Sequence, residues 1–268
     1  YLIAWLLLAL CCTAVAKPPD TGSHPVDTLA IQQEQQAQAE VDVSAGVRNT
    51  YIWRGFRVSR SAITEAGLGW TSANGNWSAG FWGGYSFNGF YTEFDHYVKY
   101  SNAGLSVALW DINNFTNYQG ANYNTNAPFF SYKRQSSRFV DLSASYQLPW
   151  KAVPLTVSWA TILLGRDFYM SEGGNPEGRY STYTAISAPL WQREGQVLTG
   201  KVGGAFALNN RADSEGHFYG SEPNIVNVML EYTRTVKLGD TYKVPVSFAG
   251  MWNPEKQHGA MQLTLSLF

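Results

Sequence analysis

The chain has 268 residues, a formal net charge of −1, and 15% charged against 15% aromatic residues, with 10 Trp and 16 Tyr. A nucleic-acid binder carries a basic excess, and none is present. So many Trp and Tyr are also unusual for a water-soluble all-β sandwich, whereas in a membrane barrel they form the interfacial girdles.

Residues 2–16 are apolar, too short a run for a spanning helix, and Ala14-Val15-Ala16 supplies the small residues of a signal-peptidase site before Lys17. We read 1–16 as a signal peptide with a truncated start, since the chain opens on Tyr1 without Met or a basic region. Leu10 stands where a lipobox requires a small residue before Cys11. Cys11 and Cys12 both fall in the signal, which leaves the expected product without disulfides or cysteine-type zinc sites. Residues 17–40, with Lys17-Pro18-Pro19 and a Gln/Glu/Ala-rich run, read as a periplasmic tail; a short helix and disorder fit it equally.

From Val41 onward the pattern changes. Apolar residues occupy alternate positions in Val41, Val43, Ala45, Val47; in Leu155, Val157, Trp159; in Tyr242, Val244, Val246, Phe248; and in Met261, Leu263, Leu265, Leu267. A period of two places them on one face of a strand. Segments of this kind recur about every ten residues or more, the length a tilted strand needs to cross a bilayer. Only a closed barrel holds strands in lipid without an unpaired edge. The expected fold is therefore all-β: a transmembrane antiparallel up-and-down β-barrel of about twelve strands over 41–268. The expected strands are 41–57, 62–71, 77–86, 91–101, 105–113, 138–148, 155–165, 179–190, 198–208, 224–237, 241–253 and 259–268. Connections after even-numbered strands are short, and long ones (114–137, 166–178, 209–223) follow odd-numbered strands. That parity places both ends of the barrel in the periplasm. An aromatic last residue, Phe268, is the kind of signal the barrel assembly machinery reads, although Leu263, Leu265 and Leu267 alternate out of phase with it.

Residues 43–115 carry a motif series: Tyr51-Ile52-Trp53-Arg54-Gly55-Phe56, then Gly67-Leu68-Gly69-Trp70, Gly80-Phe81-Trp82, and Glu93-Phe94-Asp95-His96-Tyr97. The series resembles the opening of a family of uncharacterised bacterial outer-membrane proteins labelled Gcw_chp or TorF-like. The resemblance covers about a quarter of the chain. It implies an outer-membrane barrel and no particular activity.

With the apolar phase facing lipid, the other phase lists the lumen: Arg48, Arg54, Glu65, Glu93, Asp95, Lys99, Asp141, Lys201, Glu231 and Lys243. Arg or Lys on the lipid face near mid-bilayer costs about 2–4 kcal/mol, so the charged phase is expected inside. Two readings of this balanced set stand side by side. The charges pair and fill a narrow barrel, or they line a water-filled constriction that sets solute preference. Arg54 is the leading single residue, as a pore cation or as a partner for Glu65 or Glu93.

The connection 114–137 holds Phe115, Tyr118, Tyr123, Phe129, Phe130 and Tyr132 among asparagines. Of these, Tyr118, Tyr123, Phe129 and Tyr132 are candidate ligand contacts in an outer loop; a fold inward or an aromatic lid on the rim are the alternatives. Catalysis is not expected. His24 lies in the tail, His96 points away from Asp95 by parity, and His258 follows Lys256 without a serine motif. Asp213, Glu215 and His217 alternate in a loop, but no metal motif is matched, and neither metal nor cofactor is expected. The sequence thus points to a porin-like outer-membrane channel for small solutes, with lipid and the assembly machinery as partners. The alternative is a plugged barrel whose outer loops engage a surface ligand.

Overall fold

The computed structural model describes residues 38–116, 128–133, 136–150, 154–209, 216–239 and 242–268. The expected signal peptide, most of the expected tail, Tyr118, Tyr123, Asp213 and Glu215 lie outside them. The described strands, in chain order, are β1 (Glu40–Arg48), β2 (Tyr51–Trp53), β3 (Phe56–Ser59), β4 (Ile63–Thr71), β5 (Trp77–Ser86), β6 (Thr92–Asn102), β7 (Leu105–Asn114) and β8 (Arg138–Gln147). They continue with β9 (Thr156–Gly165), β10 (Phe168–Met170), β11 (Pro176–Gly178), β12 (Ser181–Arg193), β13 (Gln196–Ala207), β14 (Asn224–Leu238), β15 (Tyr242–Asn253) and β16 (His258–Ser266).

Twelve of these close into an antiparallel barrel in the order β1-β16-β15-β14-β13-β12-β9-β8-β7-β6-β5-β4. The two remaining pairs, β2-β3 and β10-β11, are separate hairpins. Closure joins β1 to β16 through Gly46↔Ser266, Val47↔Leu265 and Arg48↔Thr264. It is extended by Ala45 N–H donating to Phe268 O at 3.0 Å and Leu267 N–H to Ala45 O at 2.8 Å.

Alternation decides which face is which. Leu68, Phe81, Trp159, Leu230 and Phe248 point outward and are each between 43 and 53% exposed. Their neighbours on the inward phase are small or polar: Gly67 and Gly69 on β4, Ser143 and Ser145 on β8, Thr233 on β14, Ser247 on β15. An apolar wall turned outward around a polar interior is the inverse of a water-soluble barrel and is what a bilayer selects. The barrel is a transmembrane one.

The interior is not empty. One cluster joins buried Tyr183, Ala185, Ala205, Tyr219 and Val226; a second joins Ile112, Phe139 and Ile162. Trp53 and Phe218 pack against both. Neither residue belongs to a wall strand. The barrel therefore has a core in which wall residues pack against inserted chain.

The expected first strand, 41–57, needs correction. The wall strand stops at Arg48, and the alternation that continues beyond it belongs to the β2-β3 hairpin. The physical reason lies in Trp53-Arg54-Gly55-Phe56. Trp53 pairs with Phe56, and Arg54 and Gly55 have φ of 46° and 86°. Positive φ at both central residues makes a tight hairpin turn of the kind whose twist matches paired strands.

Candidate functional site: a lumen crossed by a hairpin

The β2-β3 hairpin enters the barrel from the end that carries the long connections. Its tip is fixed by several contacts. The Arg54 guanidinium grips the Asp141 carboxylate in two places, Nη1 to Oδ2 at 2.7 Å and Nη2 to Oδ1 at 2.8 Å. Nη1 also donates to the Tyr219 hydroxyl at 2.7 Å. The guanidinium lies over the Trp53 ring at 4.5 Å. Asp141 is fully buried. A bidentate guanidinium–carboxylate pair is the geometry best suited to a desolvated site.

Two further bonds fix the hairpin backbone. Ile52 N–H donates to Gln262 Oε1 at 2.8 Å, and Asn253 Nδ2 donates to Gly55 O at 3.0 Å. Gln262 lies on β16 and Asp141 on β8, six places apart in a ring of twelve. The hairpin thus reaches opposite walls and spans the lumen. Gly55 is required at the tip, because a Cβ there would stand 2.0 Å from the Val226 carbonyl oxygen.

Aromatic packing completes the crossing. Trp53 meets Phe139 at 6.3 Å, Phe218 at 6.3 Å and Tyr219 at 5.8 Å; Phe56 stacks on Tyr219 at 5.9 Å. Tyr51 reaches the other side, 5.7 Å from Trp82 and 5.7 Å from Tyr91. Pairs at these separations add about 0.5–1.5 kcal/mol each beyond area burial.

Phe218 and Tyr219 come from a second insert, residues 216–223, which is itself tightly held. His217 Nδ1 accepts the Tyr219 N–H at 3.2 Å, which leaves Nε2–H to donate to Glu222 O at 2.8 Å. Ser181 Oγ accepts the Phe218 N–H at 2.8 Å while donating to Asp167 Oδ1 at 2.8 Å. Glu255 Oε1 accepts both the N–H and the hydroxyl of Ser221, at 2.7 and 2.9 Å. Burial holds His217 below the usual histidine range, as its accepting Nδ1 requires. Burial raises Asp167 above the usual carboxylate range.

The charges read from the sequence as lumen residues are placed as follows. Arg48 and Glu65 meet on β1 and β4, with Nη2 2.8 Å from Oε1. Gly46 makes room for them, since a Cβ there would lie 2.9 Å from that same oxygen. Arg54 pairs with Asp141 rather than with Glu65 or Glu93, and it stands on the hairpin rather than on a wall strand. Glu93 accepts from Asn114 Nδ2, and Asp95 Oδ1 accepts the Asn113 N–H at 3.1 Å. Lys99 (β6), Lys201 (β13), Glu231 (β14) and Lys243 (β15) sit on the inward phase away from the hairpin contacts. A cavity of about 220 Å³ remains between the hairpin and the β5–β8 wall. Arg48, Trp82, Glu93, Asp95 and Trp110 are among the residues lining it.

One charged group lies on the opposite face. Asp111 alternates with inward Trp110 and Ile112, and Arg138 with inward Phe139, so both point outward. His96 Nε2 and Arg138 Nη1 share Asp111 Oδ2 at 3.1 and 2.9 Å, and the Tyr132 hydroxyl donates to it. Phe129 and Phe130 cover the Arg138 guanidinium at 4.3 and 5.1 Å. Arg138 is only 1% exposed as a result. Phe129 and Tyr132, expected as ligand contacts, thus shield an ionic cluster on the outer wall. Parity alone turns His96 outward, but the cover supplied by residues 128–133 could not be read from strand patterns.

No protein-family model matches the chain, and no curated protein does. Similar solved structures include an outer-membrane channel from Pseudomonas putida F1, at 12% identity and a TM-score of 0.41, covering 88% of this chain and 98% of that one. Another is the translocator domain of the autotransporter NalP from Neisseria meningitidis, at 11% identity and a TM-score of 0.41, covering 87% and 88%. At such identity and score the likeness carries no functional argument.

Proposed function

We propose that this protein is a bacterial outer-membrane channel of narrow bore, with its solute path constricted by the β2-β3 hairpin. The observation that carries this reading is the anchoring of the hairpin on β8 and β16, opposite sides of the ring. What remains beside it is a small polar-and-aromatic cavity rather than an open pore. Polar residues of both signs on the inner wall favour small hydrophilic solutes without strong charge selection. In this orientation the long connections face outward and both chain ends of the barrel face the periplasm. Membrane lipid contacts the apolar wall, and the barrel assembly machinery inserts it. The role is transport rather than catalysis: His96 is engaged with Asp111 and Arg138 on the outer wall, remote from the lumen.

A second reading takes the same hairpin as a plug, in a barrel that presents its outer loops to a surface ligand. Swelling of liposomes loaded with the purified protein separates the two. The channel reading expects swelling in small polar solutes and none in larger oligosaccharides. Absence of swelling in every solute would overturn it and favour the plug.

A further inference from the structure

We propose that the cavity beside the hairpin is a binding station for a small solute bearing an ammonium group. This rests on the channel reading for its purpose, but not for its chemistry. The decisive feature is the way the lining charges are committed. Arg48 is paired with Glu65, and Arg54 with Asp141. Arg166 is held over Phe139 and Phe218, at 5.0 and 5.4 Å. Arg166 also bears on Glu93, which takes a hydrogen bond from the Asn114 side chain, whereas the Asp95 carboxylate is held by a neutral donor, the Asn113 backbone N–H. Asp95 is 5% exposed.

Two aromatic residues of the cavity lining neighbour that carboxylate in the sheet. Trp82 is the direct partner of Asp95 between β5 and β6. Trp110 stands diagonal to it on β7, two residues from its partner Ile112. A carboxylate flanked by indoles in a desolvated cavity attracts a weakly hydrated cation through charge and ring quadrupole together. The protein already uses this chemistry at the same level, with Arg54 over Trp53 and Arg48 over Tyr51. A volume of about 220 Å³ limits the guest to a small molecule, below the range of about 300–1,000 Å³ typical of drug-sized pockets.

The test is titration calorimetry of the folded, detergent-solubilised protein with choline and with its neutral isostere 3,3-dimethyl-1-butanol. Choline is expected to bind at least about tenfold more tightly than the isostere. Asp95→Asn, and independently Trp82→Leu, should each remove about tenfold of that affinity in protein whose gel mobility still reports a folded barrel. Equal binding of choline and isostere, or unchanged choline affinity in folded Asp95→Asn, would overturn the proposal. Binding without liposome swelling would uphold the station and remove the channel; swelling without binding would do the reverse.

Discussion

Arg54 and Asp141, 87 residues apart in the chain, meet at 2.7 Å inside the barrel. One comes from the tip of an inserted hairpin and the other from the wall. Removing one partner leaves a desolvated charge, which costs about 3–5 kcal/mol. Asp141→Asn and Arg54→Met should each lower the denaturation midpoint accordingly. The double variant Arg54→Met/Asp141→Leu should cost clearly less than the sum, as coupled partners do. Simple additivity in the four-way cycle would show that the pair does not act as a unit.

Gly55→Ala tests the hairpin tip without touching any charge. It combines a φ of 86° with a Cβ that would overlap the Val226 carbonyl. The hairpin should leave its seat while the wall strands persist. Trypsin should then cut at Arg54 or Arg57 several times faster than in wild type, and unchanged cleavage would count against the seating described.

The wall was largely legible before the structure, and the insert was not. Expected strand 77–86 coincides with β5, and most other wall boundaries fall within a residue or two, because a lipid-facing surface forces strict alternation. That same alternation extended the first strand too far. Val47 and Ile52 both read as strand residues, yet a bend at Asn49 and Thr50 turns the chain into the lumen between them. The signal was present in Arg54-Gly55 between Trp53 and Phe56, an X-Gly pair flanked by strand formers. The Arg54–Asp141 pairing was beyond reach, since Glu65 and Glu93 matched the arginine equally well by pattern. The outward Asp111–Arg138 cluster was hidden for a different reason. Its shield comes from residues 128–133, which follow no strand period.

The 216–223 insert should respond to acid. His217 is held neutral, with Nδ1 accepting a backbone N–H, and burial depresses its titration below 6.5. Glu255, Asp167 and Lys256 are the charges that bear on it. A depressed folded pKa means the unfolded chain binds the proton first, so stability falls as pH drops below about 6.5 toward the folded value. Hydrogen exchange at Phe218 and Tyr219 should accelerate between neutral pH and 5 after correction for intrinsic rates. In His217→Asn that acceleration should be much reduced; if it persists unchanged, His217 is not the sensor.

Arg138→Leu should release the cover on the outer wall. The ring contacts of Phe129 and Phe130 with the guanidinium are lost, and among the described residues Asp111 keeps His96 and Tyr132. Cleavage by trypsin at Lys133, already exposed in the native protein, should rise several-fold. An unchanged rate would mean that the cover is held by something other than Arg138.

Single-channel conductance compares the intact protein most directly with one in which residues 50–61 are replaced by a short Gly-Ser turn. Small steps are expected for the native protein, and steps several times larger once the chain crossing from β8 to β16 is gone. Equal conductance in the two proteins, both shown to be folded, would contradict the claim that this hairpin sets the bore.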